Sequence, residues 1–584
     1  MKTKLQEILK KIIKELYSIE NSEIILENPP KKDLGDFAFG PFLLAKELKK
    51  SPIEIGKEII EELKKYPEIT DVAQAGPYIN IKLDKSIFTE IFLQDYKYFS
   101  EKTVFTDGEG KIIFIDYIGP NVGKPLHIGH MCTPNIGQAM IGIYKKLGFK
   151  VISDSHIGDW GIIFGKLIMA FKLWGDEKKL QEDAINHLLE LYIKITNEIE
   201  KQGENSELEE QTRQEFKKLS TGNKDSIELW KKFTNYSIIE LRKQLKNLNV
   251  EPDYNIGESF YEGLGLPKLE DYPDLKYSMK DIVSKLVEKK VATKNSDNSV
   301  GVEFAENLKI PSCVLAKRDG SHGYLASDLA AIKYRIQNWN PYKIIYFVDV
   351  RQSLHFRQAF EIAKNAGWLG QTQLIHAPNG FISLKEGAMS TRKGKIIKLE
   401  DLLNESKNRA RKIILEKRQD FSEEELENLS RIIGIGAIKY GYLKKSRENN
   451  VVFDWDEFMT FEGNSGPYIQ YSYVRAKKIL SKVGEKLDLK NIGKFDFDEE
   501  IALVKLLSDY KNILQETAEK NMPHVLCAYV FELTKAFNSL YNSVNILGEE
   551  DFGKKNLRIL LVDLFAKILK DCFDILAIEM PEEM

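Results

Sequence analysis

Metal-type cysteine spacing, long apolar runs and an excess of basic charge are all missing from this chain. Its four cysteines, Cys132, Cys313, Cys527 and Cys572, are widely scattered and form no ligand pattern for a metal. They read as reduced core thiols of a cytoplasmic protein. No apolar run is long enough to span a membrane, and the N-terminal stretch alternates charge with hydrophobics throughout, unlike a signal peptide. Formal net charge is −3, which removes any global signature for nucleic acid. A nucleic-acid partner would have to be held by local patches. Internal repeats and low-complexity segments are also absent.

What remains is a globular composition, 43% hydrophobic and 30% charged over 584 residues, long enough for about three or four domains at ~150 residues each. Leu5, Ile8, Leu9, Ile12, Ile13 and Leu16 form a helical stripe, and helices are expected over Phe42–Leu48 and Pro52–Lys65. Tyr78 to Leu83 alternates like a half-buried strand. Residues 1–107 therefore read as a small α+β domain. From 111 onward strands and helices alternate, the pattern of a doubly wound parallel sheet, up to about residue 400. Within that region 175–250 is a run of charged helices, read as an insertion, and strand-like runs return at Ser299–Phe304, Ser312–Ala316 and Ile344–Val350. Residues 401–584 are almost wholly helical.

Two motifs carry chemistry. The first, Asn121-Val122-Gly123-Lys124-Pro125-Leu126-His127-Ile128-Gly129-His130-Met131, lies between a β-prone run (Ile112–Ile115) and a helix expected over Thr133–Leu147. A strand turning through Gly and Pro into a helix N-terminus offers free backbone N–H groups and the positive dipole end to an anion. His127 and His130 are expected on one helical face beside it. A lone His-x-x-His is more often two loop histidines satisfied by backbone; here strand, glycine and helix agree with a phosphate site. The second motif, Gly387-Ala388-Met389-Ser390-Thr391-Arg392-Lys393-Gly394, sets basic residues between glycines. It reads as a mobile loop able to close over a polyphosphate.

Together these motifs resemble the two nucleotide-binding signatures of class I aminoacyl-tRNA synthetases. Further stretches resemble arginyl-tRNA synthetases in particular: Ser155-His156-Ile157-Gly158-Asp159-Trp160-Gly161, Gly257-Glu258-Ser259-Phe260-Tyr261, Asp319 to Tyr324 and Ser327-Asp328-Leu329-Ala330. So do the Met-Ser-Thr-Arg-Lys-Gly loop, Gly466 to Tyr471, the terminal Pro581-Glu582-Glu583-Met584, and, near the N-terminus, Leu34 to Ala38 and Gly76 to Ile81. The resemblance implies a Rossmann-type catalytic domain (108–400), an N-terminal domain touching the tRNA elbow (1–107) and an all-α anticodon-binding domain (401–584). It implies an arginine–tRNA ligase that uses ATP, with Mg²⁺ carried by the nucleotide and no metal site of its own. The partners implied are L-arginine and tRNA(Arg), and the state expected is a cytoplasmic monomer free of membrane. One departure stands out: Ala388 and Thr391 replace the two lysines of the usual loop, and Lys124 is the residue expected to make up the charge.

The residue roles implied follow the motifs. His127, His130, Lys124 and Lys393 are the catalytic candidates; Gly129, Met389, Ser390, Arg392 and His355 belong to ATP. Arginine should meet Asp116, Asn121, Glu258, Tyr324, Asp328 and Gln352, because a guanidinium needs a planar fork of acceptors that an ammonium cannot match. Tyr541 and Met584 are the tRNA candidates. Tyr468, Tyr471 and Tyr473 are also weighed for stacking, and the six basic residues of 405–418 for phosphate steering. A nucleotidylyltransferase shares the histidine motif but explains neither the helical third nor the second loop. A non-catalytic relative would be expected to have lost one motif, and a cysteinyl enzyme would need metal-binding cysteines.

Overall fold

The computed structural model describes residues 2–20, 23–27, 29–30, 34–203, 206–263, 266, 268–385, 398–483 and 491–584. The chain falls into two compact units, one of residues 1–103, 472–512 and 529–569, the other of 104–471, 513–528 and 570–584.

In the first unit a four-stranded sheet runs Leu26–Glu27, Phe37–Phe39, Tyr78–Leu83, Ile69–Ala75 in spatial order, antiparallel throughout. The expected N-terminal stripe is the buried face of the helix Lys2–Tyr17, with Leu5, Leu9, Ile12 and Ile13 all buried. The helix Pro52–Leu63 starts where Ser51 accepts a hydrogen bond from the Ile53 N–H and Pro52 takes the first helical position, where its missing N–H costs nothing. Asp84 caps Lys85–Glu101 in the same way. In this unit Lys505 of the helix Asp498–Ser508 pairs with Asp36 at 2.7 Å.

The second unit is built on five parallel strands: β1 (Ile112–Ile118), β2 (Lys150–Ile157), β3 (Tyr254–Gly257), β4 (Lys343–Tyr346) and β5 (Gln373–His376). Their spatial order is β5-β4-β1-β2-β3, so the winding reverses between β1 and β4. In open α/β sheets ligands bind at that reversal, beyond the carboxyl ends of the strands. Ile113, Phe114 and Ile115 are completely buried, as are Ile344 and Ile345, consistent with a sheet covered on both faces. Between β2 and β3 the chain makes the helical insertion: Glu177–Glu182, Ala184–Gln202, Glu207–Ser220 and Lys224–Lys246.

Two strand-like runs behave differently from the simplest expectation. Val300–Val302 and Cys313–Ala316 do not join the parallel sheet; with Thr293–Lys294 they make a separate three-stranded antiparallel sheet. The connection between them is too short for the crossover that parallel pairing needs. Beyond 398 the described chain is helical apart from Val451–Phe453, which pairs in parallel with Ile382–Leu384. Among the described residues no helix is long and apolar enough to cross a membrane.

Candidate active site

The first motif leaves β1 and enters the helix Cys132–Lys146, close to the span expected. The histidines, however, do not share a helical face. His127 has extended backbone and caps a short 3₁₀ turn, Ile128–Met131, in which His130 is the third residue. The Gly129 N–H donates to His127 Nδ1 and the His127 N–H donates to His130 Nδ1, each at 3.1 Å. The rings lie 4.0 Å apart between centroids. Two backbone donors expected to face an anion are thus spent on imidazole. A side chain at position 129 would strike the His127 ring, 2.8 Å from its carbon, which is why glycine stands between the two.

This capping fixes the chemistry of both rings. A ring nitrogen that accepts a hydrogen bond carries no proton, so a neutral ring holds its proton on Nε2. Burial lowers the His127 pKa below its ordinary value. Burial, with the nearby charges of His127 and Lys124, pulls His130 down to about 3. Both side chains are therefore neutral Nε2–H donors at physiological pH, not cations. A cation whose charge reaches His130 is Lys124, and its ammonium lies 5.0 Å from the ring of Tyr192 in the insertion.

The second motif, with Ala388, Met389, Ser390, Thr391, Arg392 and Lys393, lies outside the described residues. Its flanks do not. The Lys398 backbone bridges to His127, and the Leu399 N–H donates to the Leu126 carbonyl at 2.9 Å. Ile382–Leu384 packs beside the histidine turn. Both ends of the loop are therefore brought to the switch point.

A cluster of acids sits past the ends of β1, β2 and β3. Glu258 opens the short helix Glu258–Glu262 directly after β3. Among the described residues no donor hydrogen-bonds its carboxylate. Burial, and the negative charges of Asp328 and Asp159 against the opposing influence of His156, raise its pKa to about 7. Asp328, one turn into the helix Tyr324–Trp339, meets His355 Nε2 at 2.5 Å. Burial would raise the Asp328 pKa, but that hydrogen bond and charge hold it below the usual range, while His355 is raised in return. Tyr324, the first residue of that helix, is 73% exposed, so its ring stands open to a ligand. Asp159 is fully buried, accepts from the Ser259 N–H and hydroxyl, and is pushed to about 6 by burial. It lies so close to Gly257 that a Cβ there would be 2.2 Å from a carboxylate oxygen.

The remaining expected residues divide. Asn121 is exposed, its backbone bridging to Gly158. Gln352 is exposed where the turn Val350–Gln352 after β4 meets the helix Ser353–Asn365. Asp116, expected at the substrate, is buried and pairs with Arg335 Nη2 at 2.8 Å; Asp154 pairs with the same nitrogen at 2.7 Å. Asp116, Asp154 and His156 offer three ligand atoms within 4.8 Å of one another, but the Arg335 guanidinium already supplies the cation between the two acids.

In the first unit Tyr541 is 41% exposed and carries Arg475 over its ring at 4.6 Å, whereas Tyr473 is buried. In the second, Met584 packs against a cluster that includes Ala410, Ile414, Leu426 and Ile433. Three of the basic residues in 405–418 are engaged by acids: Arg409 with Glu405, Arg411 with Glu423, Arg418 with Asp420.

Arg335, Asp154, His156 and Asp159 received no role from the sequence. The signal for Arg335 was present: it stands seven residues after Asp328, on the same helix face.

The sheet order and the histidine turn at its reversal define the catalytic domain of a class I aminoacyl-tRNA synthetase, and the family model described as "tRNA synthetases class I (R), catalytic domain" matches residues 89–455. Those of the "Arginyl tRNA synthetase N terminal domain" and the "DALR anticodon binding domain" match residues 3–83 and 469–584. The chain is 37% identical over 565 residues to an arginine–tRNA ligase of Clostridium botulinum, covering 96% of both. It is 38% identical over 573 residues to one of Clostridium perfringens, covering 97% of both. The chain belongs to the arginyl-tRNA synthetase family. Its fold is also that of the Thermus thermophilus arginyl-tRNA synthetase (TM-score 0.79, 23% identity, full coverage of both chains) and of the Plasmodium falciparum one (TM-score 0.80, 22% identity, 100% and 99% coverage).

Proposed function

We propose that this protein ligates L-arginine to tRNA(Arg) in protein synthesis, spending ATP and passing through arginyl-adenylate. The observation that carries this reading is the pair of acids, Glu258 and Asp328, beyond the carboxyl ends of the strands. Glu258 has no hydrogen-bond donor among the described residues and lies within the electrostatic reach of Asp328. Two acids beside an exposed tyrosine suit a guanidinium, which donates two parallel hydrogen bonds. Lysine in that pocket would leave acceptors unpaired, so selection needs no editing site.

The arginine carboxylate attacks the α-phosphorus of ATP in line, and pyrophosphate leaves. Charge grows on the phosphate oxygens, so catalysis comes from positioning and from fixed donors. His127 and His130 donate Nε2–H to the α-phosphate region. Lys124, Arg392 and Lys393 meet the departing pyrophosphate, with Gly129, Met389 and Ser390 in the same nucleotide site. Mg²⁺ arrives with ATP as part of the substrate. Glu258 and Asp328 hold the guanidinium, Tyr324 and Gln352 flank it, and Asn121 takes the α-amino end. His355 orients Asp328 and borders the nucleotide. Asp116 acts on the substrate through Arg335. The activated arginine then passes to the terminal 2′-hydroxyl of tRNA, whose binding is needed for activation. Tyr541 and Met584 contact that tRNA. The working form is a cytoplasmic monomer of three domains, 1–107, 108–400 and 401–584. ATP–pyrophosphate exchange with each amino acid, with and without tRNA, tests the reading. Exchange confined to arginine and dependent on tRNA is expected, and exchange with another amino acid overturns it.

A further inference from the structure

The floor of the acid cluster already contains a guanidinium. Arg335 is 0% exposed, and a single nitrogen, Nη2, meets Asp116 at 2.8 Å and Asp154 at 2.7 Å. The plane of the group is packed against aromatic rings, with its central carbon 4.8 Å from the Phe114 centroid and 5.4 Å from that of Tyr346. The partners come from β1, β2 and β4, so three strands of the sheet are arranged around it. Arg335 and Asp328 lie on one face of one helix, two turns apart. His156, from the end of β2, has a ligand atom within 4.8 Å of both Asp116 and Asp154, and its charge bears on Asp154, Glu258 and Asp328 alike. The site thus has two pairs of acids: one is bound by the chain's own guanidinium, and in the other Asp328 meets His355 while Glu258 has no hydrogen-bond donor among the described residues.

We propose that Arg335 is a positioning residue for substrate recognition: it fills the Asp116–Asp154 pair with a guanidinium of the chain itself, so an incoming arginine is left Glu258 and Asp328 alone. This rests on arginine being the substrate. Without Arg335 the lower acids and His156 form a second, deeper cation site of the same chemistry as the first. Substrate arginine would then be pulled away from the histidine turn, and its carboxylate would no longer reach the α-phosphorus. Buried acids that lose their cation must take up either a proton or a replacement cation, because their desolvated charge is otherwise uncompensated.

The test is chemical rescue of Arg335→Ala by guanidinium ion. In the wild type, low-millimolar guanidinium chloride should compete with arginine and raise its KM. In the variant this non-productive binding should lower kcat and the arginine KM together, by about tenfold or more, and the same guanidinium should raise both again by refilling the vacated site. Urea, of the same shape without charge, should do neither. Guanidinium should also raise the melting temperature of the variant with no substrate present. An unchanged KM, a loss that guanidinium does not repair, or equal repair by urea overturns the proposal. Should Arg335→Ala not fold, Arg335→Met with Asp116→Asn and Asp154→Asn removes all three charges together. With no second acid pair left, that variant should fold, show none of the fall in kcat and KM and ignore guanidinium; a joint fall like that expected of Arg335→Ala would refute the diversion. The melting readout separates the two ideas. A wild type that charges no arginine defeats the substrate assignment, while absent stabilisation of Arg335→Ala by guanidinium defeats the internal-cation proposal on its own.

Discussion

Replacing Glu258 by glutamine removes a charge while keeping the shape, and the structure sets opposite consequences for stability and for binding. Burial, with Asp328 and Asp159 nearby, lifts this carboxyl from 4.5 to about 7. At ~1.36 kcal/mol for each tenfold change in proton affinity, ionising it in the ligand-free fold costs about 3 kcal/mol, and contact with water trims that figure. The sign follows from proton counting. Below pH 4.5 folded and unfolded chains are both protonated and nothing is lost. Between 4.5 and 7 the folded chain holds a proton that the unfolded one has released, so stability falls as pH rises; above 7 the loss is complete. Glu258→Gln should therefore stabilise the ligand-free protein at pH 8, by up to about 3 kcal/mol, with the gain fading towards pH 5.

Binding runs the other way. A guanidinium needs the ionised form, so in the wild type arginine binding should release close to one proton at pH 6 and almost none at pH 8.5. Affinity should weaken up to tenfold for each pH unit below 7. Calorimetry in two buffers of different ionisation enthalpy counts the protons, and melting curves at pH 5, 6.5 and 8 measure the stability. A Glu258→Gln protein that melts lower than wild type at pH 8, or arginine affinity flat between pH 6 and 8, would show that Glu258 is not the uncompensated acid described above.

Other outcomes follow from the same geometry. Asp328→Asn should raise the KM for arginine by roughly 1.5–3 kcal/mol, about 10- to 150-fold, with little change for ATP, because it removes a charge-assisted hydrogen bond; steady-state exchange kinetics check this. His127→Ala and His130→Ala should each slow single-turnover adenylate formation by ~10²–10³ with arginine affinity intact. Lys124→Ala should cut pyrophosphate formation severely, and Thr391→Lys should restore part of it. Strictly additive effects in that double-mutant cycle would refute compensation between the two motifs.

How much of this was legible in the sequence depends on distance along the chain. The helix Tyr324–Trp339 and the strand Ile112–Ile118 follow from local periodicity and β-propensity, and Asp328 was singled out because its neighbours in sequence belong to a recognisable block. The ion pair of Arg335 with Asp154 joins residues 181 apart. Only sheet order brings them together, and no local pattern announces it. The antiparallel pairing of Val300–Val302 is not legible for the same reason, since a strand's sequence does not name its partner.

The histidine motif is the instructive intermediate case, because its strand–turn–helix setting is as expected and the placing of its two rings is not. Spacing of i to i+3 suggests a shared helical face, and that inference assumes that the backbone is already helical at His127. Extended backbone there makes the first ring a cap, and glycine at 129 is what allows that ring to fold back over the turn. The mechanistic consequence is specific. Rings on a helical face would be free to protonate and attract phosphate as cations, whereas rings that accept backbone N–H bonds at Nδ1 are held as neutral Nε2–H donors. Such donors stabilise charge that develops on the phosphate without binding the ground-state anion tightly, so the damage from their removal should fall on the rate of activation and not on ATP affinity.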